Sequence, residues 1–497
     1  MDKKGDRNET DLKWHIKEWK VLNPPFLSKW FNMSTSAWYD KRLPEMLWAV
    51  LIIWNIEREK ALDFFRYIWK FVESNKDCLD VTITGISKFP DTKKDKFIKY
   101  LTDYSDDINK ILRSLLLFPE LPLFDIWSKY LEKPNPEEDW ANLWEWVART
   151  FWHQSQEATD CRWIKVLCLV LWWKLRFNIW MEEQVRWILE YPNYWDMRSI
   201  RPSIRATEMM DLSAINWDES DWYKYFWKYS LDNTQCLPEE AVSERVKNRQ
   251  KDLSKEIEDL RKYYFEETTR VRNELINHFF ENMNTTFIDS RYETSFGIAL
   301  YGLSLFIETI FYGTSLSITG RLSLRWLAET LITFKYLLEK EKIEVSIWDD
   351  FRIYWTWQVK LIYQKLEELW FDGSSMNIED LYNIANEDKW VEFTPINLWH
   401  WDSVNLRKMS EDIWLKDIYD KYYNYTSGFM HWNWWAIRES IYQKCINPLH
   451  RYHRIPVYDL PLMPSVTNDA MDIVNQIFEL LNKAYPWFDV KIEKPIQ

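Results

Sequence analysis

Apolar residues recur along this chain at helical spacing almost from end to end. The stretch 43–72 sets an apolar face against a wet one carrying Glu57, Arg58, Glu59, Lys60 and Arg66. The pattern predicts further helices over 108–117, 140–151, 161–177 and 182–190. Pro119, Pro122, Pro134, Pro136 and Pro192 fall between them, where a residue without an N–H ends a helix at little cost. Strand signals are few: Val81 to Gly85 is the one convincing β-branched run. The first 210 residues therefore read as a stacked-helix domain, solenoid-like or a bundle.

A linker is expected over 211–238. The segment 239–289 follows, strongly charged, with Val242, Val246, Leu253, Ile257, Leu260, Tyr264, Val271 and Leu275 forming a narrow stripe. A stripe of that spacing predicts a long connector helix, coiled-coil-like, offering a homodimer contact through 239–282. From 290 to 497 the period returns as a C-terminal helical bundle, with helices over 294–318, 320–341, 348–370, 377–387, 406–428 and 466–484. Loops are expected over 282–291 and 394–405. The fold class is all-α.

Composition narrows the function classes. With 497 residues, 46% hydrophobic and 28% charged, the chain is globular and long enough for more than one core. A net charge of −13 excludes a global basic footprint for nucleic acid, so such binding would need a local patch. Cys78, Cys161, Cys168, Cys236 and Cys445 are odd in number and form no CxxC pair. That spacing points to neither a disulfide framework nor a structural zinc site, and no metal or cofactor is expected. The charged start lacks an apolar secretory core, so a cytoplasmic location is expected. The apolar stretch 296–318 is long enough to span a bilayer. It carries Glu308, however, and a buried helix is the better reading, with no membrane partner.

The tryptophans change the picture most. The chain has 34 Trp and only 8 Gly, where about 35 Gly would be usual. No glycine stands between Gly85 and Gly297, although helix ends and turns need residues that accept positive φ. Trp195, Trp370, Trp390 and Trp414 sit where helices should end or turn, and the pairs Trp172-Trp173 and Trp434-Trp435 are hard to bury together. Most tryptophans are therefore expected to stand at glycine positions, as if UGA codons meant glycine in the source and were read here as tryptophan. The alternative is a genuinely tryptophan-rich protein that stacks on sugars or bases.

Phosphate-binding glycine loops, nucleophile elbows, HExxH and EF-hand patterns are absent from the sequence, and reading Trp as Gly uncovers no hidden Walker loop. His153, Glu157 and Asp160 or Cys161 share a helix face, the spacing of a polar seam, with a metal-binding face or an acid–base pair as the alternatives. Arg198, Arg201 and Arg205 could complete that seam or form a small-anion pocket. Arg272 to His278 fits an Arg, a polar residue, then four residues to His, the pattern of HEPN-type ribonucleases, on a segment where solvated charge is the plain reading. Arg325 and Glu329 lie one helical turn apart and can pair. Ser427 and His431 also share a face, His431 at a helix end where its charged form is favoured.

The Arg325-x-x-x-Glu329 helix followed by Tyr425-x-Ser427-x-x-x-His431 resembles an uncharacterised bacterial domain-of-unknown-function family, helical and HEPN-like in its C-terminal region. The run Ser36 to Glu45 with His153 to Gln156 is also similar to bacterial proteins of this size. The resemblance implies an RNA-directed protein of the toxin or phage-defence kind, with Arg325, Glu329, Ser427 and His431, or Arg272 and His278, as its catalytic groups. Whether the chain is catalytic stays open. The alternatives are a non-catalytic interaction or scaffold protein and a small-anion or ligand sensor.

Overall fold

The computed structural model describes residues 16–18, 20–23, 38–171, 182–192, 200–209, 221–239, 244–369, 377–387, 393, 395–396, 401–402, 404–456 and 463–495. They are overwhelmingly helical, as the periodicity predicts. Two short antiparallel pairs accompany the helices: β1 (Ile16–Glu18) with β2 (Val21–Asn23), and β3 (Tyr442–Lys444) with β4 (Arg454–Pro456). The run at Val81 is not a strand. Thr82 caps a helix over Ile83–Ser87, its hydroxyl accepting from Gly85 N at 2.9 Å. Its β-branched residues serve as a cap and a first turn, which a propensity reading cannot distinguish from a strand.

The chain forms two compact units: 1–237 with 445–453, and 238–444 with 454–497. In the first, α1 (Leu47–Asn55) is buried on every side from Leu47 to Ile53, which makes it the central element. Amphipathic α2 (Arg58–Ser74) packs Leu62, Phe65, Ile68 and Val72 inward. The remaining labelled helices of this unit are α3 (Pro136–Phe151), α4 (Gln156–Leu171), α5 (Arg201–Met209) and α6 (Trp222–Asn233). The segment expected as a linker carries α6, whose Trp222 and Phe226 are buried in the first core. Residues 211–220 lie outside the described ones.

The second unit opens with the long helix α7 (Glu244–Asn282). Rather than standing free, α7 sends Tyr264, Val271 and Leu275 into this unit's core. Its centre is α8 (Ser290–Phe311), α9 (Ile318–Lys340) and α13 (Thr467–Ala484), packed on one another. Around them lie α10 (Ile347–Glu368), α11 (Leu406–Asp412) and α12 (Asn424–Met430). Among the described residues α8 alone is long and apolar enough to cross a membrane by length and composition. It buries Phe296, Ala299, Leu303 and Phe306 against its neighbours instead.

The tryptophans divide by backbone. Trp38, Trp48, Trp163 and Trp222 are buried, and each donates its indole N–H to a carbonyl, of Thr150, Val81, Ile188 and Pro44 respectively. Trp414, Trp432 and Trp487 have φ of 60°, 40° and 80° and are 89%, 79% and 95% exposed. Trp414 follows the C-cap of α11, with Leu415 N donating to Ser410 O at 2.9 Å. Trp432 follows the C-cap of α12, with Asn433 N donating to Gly428 O at 2.8 Å. Both are Schellman ends with indole in the left-handed slot. Gly313, after α8, fills the equivalent slot at φ 64°. Trp487 follows Pro486, the turn position that ordinarily takes glycine. Trp172, Trp173, Trp195, Trp370 and Trp390 lie outside the described residues.

Candidate functional site

Arg325 and Glu329 face the same way because α9 places them one turn apart, and they pair at 3.4 Å. The helix opposite reaches them through an irregularity. One π-helical turn, Tyr419–Tyr423, runs into α12, a local widening that often accompanies functional positions. It brings Tyr423 and Ser427 onto the Arg325 guanidinium. Nη1 donates to Ser427 Oγ at 2.5 Å and Nη2 to Tyr423 Oη at 2.7 Å. Ser427 Oγ donates in turn to Tyr423 O at 2.6 Å, and the Tyr423 hydroxyl interacts with Glu329.

This cluster forms part of the wall of a cavity of about 590 Å³ within the second unit. Trp326, Trp355, Trp401, Phe351, Tyr301 and Tyr423 supply its aromatic surface; Glu329, Thr294, Thr330 and Thr333 supply polar groups; and among the described residues no lysine or arginine lines it. Trp401 is set edge-on to Phe351 at 5.2 Å and 84°, so its plane is fixed. Burial pushes the Glu329 carboxyl above the ordinary carboxylate range, against the opposing pull of Arg325. Burial also pushes the Tyr423 phenol up, with Arg325 again opposing. A carboxyl so placed accepts N–H donors strongly when ionised and can hold a proton nearer neutrality than a surface glutamate.

Arg325, Glu329 and Ser427 therefore converge. His431 does not join them: it is exposed at the C-cap of α12 and does not line the cavity. Arg272 and His278 point apart. Arg272 is exposed, while His278 is 4% exposed in the core. The His278 ring stacks on Phe488 at 5.2 Å, and its Nε2 lies 2.9 Å from Tyr485 O. Tyr423 is the residue that sequence reasoning missed. Its signal was the four-residue step to Ser427 on one helical face.

In the first unit Asp160 is fully buried. It accepts from Arg58 Nε at 2.7 Å and from Tyr191 Oη at 2.5 Å, and burial raises its carboxyl despite Arg58. His153 is exposed and Glu157 half-buried, so the seam runs through Asp160 alone. Arg201 donates to Gln156 Oε1 at 2.6 Å and Arg205 to Thr159 Oγ1 at 3.3 Å, both on α4. Arg198 lies outside the described residues. The same unit gathers Cys236, Cys445, His450 and His453, with all their ligand atoms within 4.8 Å of one another. The spacing argument against a metal site did not foresee this, because Cys236 and His450 are 214 residues apart.

Comparison with known families covers part of the cavity wall. Residues 315–444 match a family of unknown function, DUF5677. The matched segment contains Arg325, Glu329, Tyr425, Ser427 and His431, the residues whose order carries the resemblance, together with Tyr423 and the π-helical turn. No curated protein and no solved structure matches the chain.

Proposed function

We propose that the chain is a cytoplasmic, RNA-directed helical protein of HEPN-like type, whose second unit takes an unpaired base into the aromatic cavity. The observation that carries this reading is the lining: flat aromatic surface, one half-buried carboxylate and hydroxyls, with no lysine or arginine among the described lining residues. Such a wall suits a neutral planar group that donates N–H, and stacking plus edge hydrogen bonds is how single-stranded bases are read. Guanine, with adjacent N–H donors for Glu329, is the best match. Arg325, engaged by Ser427, Tyr423 and Glu329, positions the carboxylate and the phenol.

Binding is tested by indole fluorescence with guanosine and with G-rich and U-rich single-stranded oligoribonucleotides. Guanosine and the G-rich strand should bind and lose affinity in Trp355→Ala and Glu329→Gln; equal indifference to both nucleic acids would refute the reading. Cleavage is a separate matter. Labelled RNA incubated with wild type, His431→Ala and His278→Ala decides whether either histidine acts as a proton-transfer group.

We also infer that Trp414, Trp432 and Trp487 stand at glycine positions through recoded UGA codons. Their positive φ and exposure support this, whereas Trp326 and Trp355 sit on helical backbone, where glycine has no conformational advantage. UGG at all three codons of the gene would overturn the inference.

A further inference from the structure

The four-residue cluster in the first unit has the composition and spacing of a closed metal site. Cys236 Sγ lies 3.4 Å from His450 Nδ1 and 3.3 Å from His453 Nε2, and Cys445 Sγ lies 3.7 Å from His450 Nδ1. Ligands at zinc bond lengths of about 2.3 Å for sulfur and 2.0–2.1 Å for nitrogen, set tetrahedrally, stand roughly 3.3–3.8 Å apart. These three separations fall in that range, and all four ligand atoms lie within 4.8 Å of one another. A thiol–imidazole hydrogen bond would account for any one of these contacts, but a shared ion also accounts for the closeness of all four ligand atoms.

The surrounding hydrogen bonds orient the ligands. Thr234 Oγ1 donates its proton to Ser230 O at 2.7 Å. Its oxygen, 2.8 Å from His450 Nε2, must therefore accept from that nitrogen. His450 then carries its proton on Nε2 and turns the Nδ1 lone pair toward the two sulfurs, the arrangement that outer partners impose on metal-binding histidines. Leu237 N–H points at Cys445 Sγ at 3.4 Å, which suits a thiolate. Asn447 fastens the same loop by donating to Thr234 Oγ1 at 3.2 Å and to Gln235 O at 2.9 Å.

The loop itself is held in an unfavourable shape. Arg451 and Tyr452, between the two histidines, both have positive φ, 55° and 48°. Two such residues in succession cost roughly 1–3 kcal/mol each and persist only where the surroundings enforce them. Arg451 pairs with Asp40 at 2.6 Å, and Tyr452 packs edge-on to Phe151 at 4.6 Å. These contacts hold the two residues that separate His450 from His453.

We propose that Cys236, Cys445, His450 and His453 bind one zinc ion, a structural Cys2His2 site that fastens the 445–453 loop to the segment following α6. Full occupancy of all four positions by protein groups leaves no open coordination position, so the metal is architectural rather than catalytic. The two thiols lose their protons on binding, and the thiolates with neutral imidazoles select zinc over magnesium or calcium.

The test uses the full-length chain, grown with added zinc and desalted. Metal analysis should find about one zinc per chain, and the double variant Cys236→Ser/His453→Ala should lose it. Chelator should lower the melting temperature of the wild type and leave the double variant unmoved. Cobalt(II) provides a readout independent of stability: the wild type should give the visible bands of a tetrahedral ion with a thiolate charge-transfer band, weakened in Cys236→Ser. A wild type that retains no zinc and gives no tetrahedral cobalt spectrum overturns the proposal. Zinc retained undiminished by the double variant does the same, since it would place the metal elsewhere.

Discussion

Replacing Trp414, Trp432 and Trp487 together by glycine should stabilise the second unit. A residue with a Cβ in left-handed backbone costs about 1–2 kcal/mol. Glycine returns about 0.5–1 kcal/mol of that through its greater freedom in the unfolded chain. Because the three indoles are 79–95% exposed, their removal forfeits little burial. The net gain is about 0.5–1 kcal/mol per site, or roughly 1.5–3 kcal/mol for the triple variant if the sites are independent. For a unit of this size that corresponds to a rise in Tm of roughly 3–12 °C. Calorimetry measures it, with urea unfolding as a second readout. Trp348→Gly is the opposing control: Trp348 is 4% exposed and donates to Glu341, and its loss should cost about 3–5 kcal/mol. A triple variant that melts at or below the parent would refute the reasoning, since the left-handed slots would then not be strained by tryptophan.

Glu329→Gln should weaken guanosine binding about 10–100-fold, the worth of a hydrogen bond to a charged group. Burial raises the Glu329 carboxyl, and only its ionised form accepts both base N–H groups. Wild-type binding should therefore be full above that raised pKa and fall as pH drops through it, at higher pH than a surface glutamate would show, and the Gln variant should lose this dependence. A pH profile of affinity checks both. Arg58→Ala leaves Asp160 buried without its cation and should cost about 3–5 kcal/mol in urea unfolding, while the double change Arg58→Met/Asp160→Leu should recover most of it. His278→Ala should lower stability by about 1–3 kcal/mol through its lost contacts, whereas His431→Ala, at an exposed position, should leave Tm unchanged in the same thermal scan.

Local features of this protein were legible in its sequence for a physical reason. Helical periodicity depends on neighbours three and four residues apart, so the elements 182–190, 320–341, 348–370 and 466–484 could be read directly. The Arg325–Glu329 pair and the helix end at Trp414 belong to the same short range. A β-branched run that turned out to be a helix cap, at Thr82, shows where local propensity is ambiguous.

Tertiary structure alone decided which distant groups meet. Tyr423 reaches Arg325 across 98 residues, and His450 reaches Cys236 across 214, distances over which no spacing rule operates. Packing also set the fate of each histidine: His278 entered a core because its face of α7 is the buried one, while His431 stayed in solvent beyond the last turn of α12. Residue type and period are properties of the chain. Convergence depends on how the helices pack, and packing is a property of the whole unit.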